Sequence, residues 1–134
     1  MKQLNKHIGI FILRLTLGFC MLLHGISKIS NGIAGLKSTF TEVGIPEVLA
    51  YSVYIGEVLA PVMVILGFRT KLGAGLIAFT MLIAVLLSHP DQIFALNKHG
   101  AWAIELQALY LFGSIALIFT GSGRIALSNT NKWD

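Results

Sequence analysis

Four apolar stretches, each close to the length of about 20 residues that a helix needs to cross a bilayer, leave this chain little choice of solvent. They run from about Ile8 to Lys28, Leu49 to Phe68, Leu72 to Ser88 and Ala101 to Thr120. Only 12% of the 134 residues are charged, about half the ~25% of a soluble domain. The polar residues gather between the apolar runs instead of alternating with apolar ones. The expected fold is therefore all-α: one polytopic membrane domain over residues 1–134, a bundle of four transmembrane helices, with no room for a second domain.

The formal net charge of +4 does not point to nucleic acid, because the Lys and Arg residues are scattered and form no basic patch interleaved with aromatics. It reads better as topology. Lys2, Lys6, Arg69, Lys71, Arg124 and Lys132 share one side of a four-span chain, against Lys28, Lys37 and Lys98 on the other. Six against three places both termini in the cytoplasm. Met1 to Lys6 is a basic start before apolar residues, as in a signal peptide. Arg14 interrupts that apolar core, no small-x-small site follows, and Phe19 stands where a lipoprotein signal needs a small residue before Cys20. The N-terminus is expected to stay as the first span. Cys20 is the only cysteine, so an intrachain disulfide and a CxxC site are both excluded. Any redox chemistry needs a bound cofactor, a partner, or that thiol.

The links differ in kind. "GFRTKLG" is short enough to force an antiparallel pair. In "HPDQIFALNKHG", Pro90 marks a helix end. Between Ser30 and Val48, residues Ile33, Leu36, Phe40 and Val43 recur at helical spacing, which predicts a short amphipathic helix lying at the interface before "GIP". Trp102, Tyr51 and Tyr54 sit near span ends and read as interfacial anchors.

Charges inside the spans carry the functional interest. Arg14, His24, Glu57 and Glu105 lie within predicted spans and Lys28 at the end of one; each unpaired lipid-facing charge costs roughly 3 kcal/mol. Arg14, Gly18, Met21, Gly25 and Lys28 fall on one helical stripe with His24 beside it, and the two glycines allow close approach of another helix. With Lys28 at the outer surface, Arg14 lies about 15 Å deeper than His24. Glu105 then matches His24 and Lys28 in level, and Glu57 lies nearer Arg14. Pro61 removes a backbone donor and frees the Glu57 carbonyl, predicting a kink there with Arg14, Tyr110 or Gln107 as partners. Two readings divide these residues: interhelical ion pairs that fix packing, or a polar binding pocket of Arg14, His24, Lys28, Glu57 and Glu105 open to the outer side. His24 and His89 are too few to specify a metal or haem, so no metal site is expected. Cys20 reads as packing.

The order of these features resembles the DoxX family of small bacterial four-span membrane proteins over nearly the whole chain. The resemblance rests on "RLTLGFCMLLHGISKI", "GIP", "YIGEVLAPVMVILGFRTKLGAG", Glu105 opening the fourth span, and "GSGRIALSN". Asn129 stands where the family tail often has Asp, and Arg69 precedes Thr70 where the usual order is threonine then a basic residue. The resemblance implies a four-helix bundle in the inner membrane. Some relatives are subunits of thiosulfate:quinone oxidoreductases; others are linked to membrane complexes of thiol and oxidative-stress defence. It thus implies a subunit of a redox system acting on a sulfur species or quinone, with quinone as the one cofactor to consider and a redox protein as partner. Arg14, His24 and Lys28 would attract an anion or a quinone oxygen, and Glu57 and Glu105 would serve as counter-charges or proton carriers. Fold-level analogy does not decide function. A non-enzymatic module that binds or transports a small or lipidic molecule, and a scaffold for a partner complex, stand beside it. Whether the chain is an enzyme, and whether it forms a homo-oligomer, is open at this stage.

Overall fold

The computed structural model describes residues 1–134, the side chain of Lys2 excepted. It is all-helical, and the described residues hold no strand beyond one isolated bridge between Leu96 and Trp102. Helix α1 spans Lys2–Asn31 and ends at Gly32, whose φ of 78° and N–H bond to the Lys28 carbonyl (2.9 Å) close its last turn. Helix α2, Ala34–Glu42, forms where the apolar spacing predicts it. Ile33, Leu36 and Phe40 pack against Ala50, Val53 and Leu87, whereas Val43 is exposed. A 3-10 segment at Glu47–Ser52 and a π-helical turn at Ile55–Leu59 lead into α3, Ala60–Leu66. Helix α4, Thr70–Ser88, a 3-10 turn at Pro90–Gln92 and helix α5, Glu105–Thr120, complete the order.

Among the described residues, three helical stretches are long and apolar enough to cross a membrane: Gln3–Asn31, Glu47–Leu66 and Thr70–Ser88. The apolar α5 is shorter, at 16 residues. One core joins all four long elements through Leu17 and Met21 of α1, Ala60 and Val64 of α3, Ile77 and Met81 of α4, and Tyr110 and Leu117 of α5. Outward faces carry Phe19, Phe79, Leu109, Phe112 and Phe119, all exposed. A surface this rich in large apolar side chains suits lipid rather than water.

Glycines set the register. A Cβ on Gly18 would fall 3.1 Å from the Pro61 carbonyl oxygen, and one on Gly25 would overlap the Glu57 carbonyl, so α1 and the Glu47–Leu66 stretch run backbone to backbone. The expected disturbance at Pro61 takes the form of the π turn. Pro61 has no N–H to give, and the preceding Ala60 N–H reaches back five residues to the Ile55 carbonyl.

The end of the bundle opposite Gly32 is fastened by the tail. Leu127 N–H and Ser128 N–H donate to the carbonyls of Leu66 (3.0 Å) and Gly67 (3.1 Å), and Lys71 N–H to that of Trp133 (2.9 Å). Arg69 adopts a left-handed φ of 50°, a conformation that costs a non-glycine residue on the order of 1 kcal/mol. Asp134 holds it there, accepting both the Arg69 backbone N–H (3.1 Å) and its guanidinium (3.2 Å). Ser128 donates to the other carboxylate oxygen at 2.6 Å and Asn131 N–H at 2.8 Å. Led by the Ser128 bond, these contacts lower the Asp134 pKa from 3.8 to about 2.

Candidate functional site: a cavity around the Lys28–Glu57 pair

The five charged or titratable residues singled out in the sequence do not form one cluster. His24, Lys28 and Glu57 line a single cavity of about 380 Å³; Arg14 and Glu105 do not.

Glu57 sits in the π turn and is 4% exposed. Lys28 reaches it from α1 and donates a hydrogen bond to one carboxylate oxygen. The lysine remains partly open, so the pair is buried at its acidic end and accessible at its basic end. Backbone shape makes the contact possible. Gly25 lets α1 lie against the Glu57 carbonyl, and Gly56 leaves room for the Thr80 side chain of α4 beneath the turn. Tyr54 donates its hydroxyl to the Lys28 carbonyl (3.2 Å), tying the end of α1 to the same segment.

Thr80, Gln107 and Tyr110 add polar groups to the cavity, and Met21, Phe40, Phe79 and Leu87 supply apolar wall. The Tyr110 ring meets that of His24 edge to face, with centroids 5.9 Å apart and planes at 89°. The same two residues, with Cys20, Leu23 and Ser27, also border a shallower groove on the outside of α1. Cys20 is thus exposed on that face, not a buried packing residue. His89 lines the main cavity with His24, and its Nδ1 is buried without a hydrogen-bond partner. Among the described residues no three His, Cys, Asp or Glu side chains come together as metal ligands.

Arg14 has a different environment. It is 1% exposed and spends its guanidinium on main-chain carbonyls: Nε on Val64 (2.9 Å), Nη2 on Ile65 (2.9 Å), and Nη1 on Ser122 and Ile125 (2.7 Å each). They lie at the end of α3 and in the tail, where carbonyls lack an intrahelical donor, and the Val64 carbonyl also accepts from Gly67 N–H (3.2 Å). The planar fork of an arginine can meet several at once, where a lysine ammonium cannot. Glu105 is exposed in the first turn of α5, where a carboxylate is favoured by the helix dipole.

The expected pairing of Glu57 with Arg14 is therefore corrected to Glu57 with Lys28, and that of Glu105 with His24 or Lys28 is not made. The cause is depth. His7 and Ile10 already lie beside Gly123, beyond the end of α5, so the start of α1 overhangs the bundle and Arg14 falls near its end. Lys28 is correspondingly deep: the π turn packs on Thr80, near the midpoint of the 19-residue α4. It lies about 14 Å from either end. The cavity residues Thr80 and Leu87 carry no signal in the sequence that separates them from ordinary helix positions, and His89 stands out there only beside His24, as one of two histidines too few for a metal. Tyr110 and Gln107 were visible only as candidate partners for the Pro61 region.

Chemically, the arrangement offers one cation, one carboxylate, two imidazoles and a phenol around an apolar space. It can accept an uncharged ring or chain, donate hydrogen bonds to its oxygens, and pass protons between Lys28, Glu57 and the neighbouring groups.

The DoxX family model matches residues 9–90, which run from Gly9 within α1 to just past the end of α4 and contain the Lys28–Glu57 pair. A Bacillus subtilis protein named "Putative oxidoreductase CatD" is 32% identical over 126 residues, covering 92% of this chain and 89% of that protein. An "Uncharacterized protein" of Haemophilus influenzae is 26% identical over 135 residues, covering 96% of each. No solved structure matches the chain at a significant level. Carried by a family match over more than half its length and by a full-length relative, this chain belongs to the DoxX family.

Proposed function

We propose that the chain is a four-span protein of the bacterial inner membrane with both termini cytoplasmic, and that it serves as a subunit of a redox system. In this reading α1, the Glu47–Leu66 stretch, α4 and α5 form the membrane bundle, α2 lies at the outer interface, and the cavity binds a quinone. The supporting observation is the buried Lys28–Glu57 pair facing a largely apolar cavity of about 380 Å³. A small sulfur anion would prefer several open cations and water. A quinone needs a few hydrogen bonds for its oxygens and apolar wall for its ring and chain, which is the balance found here. Lys28, still partly open, donates to a quinone oxygen, and the Lys28–Glu57 pair relays the two protons that accompany a two-electron reduction. The electron source is a partner protein, since the electrons must come from outside this cavity. The oxidoreductase name of the Bacillus subtilis relative agrees with this reading.

The test is quinone binding to purified protein in lipid nanodiscs, followed with decylubiquinone, together with mass spectrometry of co-purifying small molecules. Saturable binding that weakens in Glu57→Gln supports the reading. Recovery of a bound lipid without any quinone binding would favour the non-enzymatic carrier instead. Reporter fusions at Lys132 and at Lys98 should give cytoplasmic and external signals respectively; the reverse pattern would overturn the topology.

A further inference from the structure

We propose that the segment between α4 and α5 is a membrane-surface anchor: a rigid hairpin whose exposed apolar residues, Phe94, Leu96 and Trp102, lie in the lipid interface. The inference rests on the membrane-spanning reading above. Its partner is the headgroup–acyl boundary of the bilayer.

The sidedness follows from strand geometry. Leu96 and Trp102 face each other across the isolated bridge, and the flanking bonds run from Asn97 N–H to the Ala101 carbonyl (2.7 Å) and from Ala103 N–H to the Ala95 carbonyl (2.9 Å). That pattern makes them a non-hydrogen-bonded pair, whose side chains stand close together on one face. Phe94 lies in the turn that Ala95 N–H closes on the Gln92 carbonyl (3.1 Å), next to Ile93, whose carbonyl the Trp102 indole reaches. All three are open: Phe94 is 100% exposed, Leu96 70% and Trp102 39%.

A hairpin entering the interface must satisfy its own backbone, because lipid offers no hydrogen bonds. This one largely does. Besides the two ladder bonds, Asn97 Oδ1 accepts from His99 N–H (2.9 Å) and Ala101 N–H (3.1 Å), and Gly100 N–H donates to the Asn97 carbonyl (3.0 Å). Trp102 Nε1 donates to the Ile93 carbonyl at 2.7 Å, holding the indole against the hairpin.

Helix length supplies the level. Gly121 lies beside Lys71, so α5 ends level with the start of α4. Its 16 residues rise about 24 Å, against about 30 Å of hydrocarbon. A helix this short draws the lipid surface toward itself, and the residues next to its first turn meet that surface. The polar tip, Asn97 to Gly100, stays in the headgroup layer with Glu105. The feet of the hairpin also line the cavity, through His89 on one side and Leu106 and Gln107 on the other. Anchoring the hairpin therefore holds the cavity rim at the lipid surface.

The experiment uses single-tryptophan proteins reconstituted in phosphatidylcholine/phosphatidylglycerol vesicles with acyl chains brominated near the headgroup. One carries Phe94→Trp with Trp102→Phe and Trp133→Phe. A second keeps native Trp102, with its bond to Ile93, and only Trp133→Phe. A third reports from the exposed Leu109 position on α5, as Leu109→Trp in the tryptophan-free background. Brominated lipid is expected to lower the emission of the first two about twofold, with little quenching by aqueous iodide. Strong iodide quenching without bromolipid quenching at residues 94 and 102, while residue 109 is quenched by lipid, would overturn the anchor and leave the membrane fold intact. Absence of lipid quenching at residue 109 as well would defeat the membrane reading itself and the anchor with it.

Discussion

Arg14 and Glu57 are both charged side chains buried within helices, yet their surroundings assign them opposite roles. Arg14 is close to saturated: its four hydrogen bonds all go to backbone carbonyls of α3 and the tail, and it does not line the cavity. Glu57 has one ionic partner, Lys28, and faces open space beside His24, Gln107 and Tyr110. A charge whose bonds are spent on main chain fastens the fold. A charge with a single partner beside a cavity keeps bonding capacity for a ligand. Burial alone, which is what a charged residue in an apolar run reveals, cannot separate the two.

The largest expected effect is at the saturated end. Arg14→Met leaves several carbonyls unpaired, each costing about 1–3 kcal/mol, so the total loss is on the order of 4 kcal/mol or more. Folded, monodisperse protein should largely disappear on size-exclusion chromatography, and Arg14→Lys should recover little of it. Recovery of stable Arg14→Met protein would erase the distinction drawn here.

At the cavity the damage should be reparable. Lys28→Met strands a buried carboxylate and should cost about 3–5 kcal/mol, whereas Lys28→Met combined with Glu57→Leu removes the whole pair and should regain most of that. Thermal melts in one detergent check it. Equal losses in the single and double variants would show that the pair does not act as a unit.

A smaller effect is expected at Gly25. The methyl of Gly25→Ala would overlap the Glu57 carbonyl and the Val58 side chain. Overpacking of this kind typically costs about 1–3 kcal/mol. Here it should also displace Glu57 and weaken ligand binding, while the same change at Gly35, which has open space around its Cα, should do neither.

The smallest effect concerns the tail. The folded state lowers the Asp134 pKa from 3.8 to about 2. Its contribution is therefore present in full above pH 4 and fades as pH falls through about 2. Proteolysis of the tail with an acid-active protease should be slow at pH 4 and rise steeply toward pH 2. In Asp134→Asn it should be fast at both.

These contrasts also mark what the sequence could tell. The α1 stripe was legible because Arg14, Gly18, Gly25 and Lys28 repeat at helical spacing, and the structure sets that stripe against the Glu47–Leu66 stretch. The break near Glu57 was legible in Pro61, though its π form depends on the Ile55 carbonyl finding Ala60. Depth was not legible. Nothing in an apolar run marks where the neighbouring helices begin, so the overhang of α1 shifted Arg14 to the end of the bundle and brought Lys28 to the level of Glu57. The Asp134 lock was hidden for another reason: its partners Arg69, Ser128 and Asn131 lie in polar stretches without periodicity, and only the folded tail brings them together.

The central claim, that Glu57 serves a ligand and Arg14 serves the fold, is tested most directly by ligand-dependent thermal stability of the wild type and Glu57→Gln side by side. The account predicts that both melt at nearly the same temperature without ligand, because the amide still accepts a hydrogen bond from Lys28. Excess decylubiquinone should raise the melting temperature of the wild type, as mass action requires of a ligand bound to the folded state, and raise that of Glu57→Gln by clearly less. Equal ligand-induced shifts in the two proteins would contradict the claim.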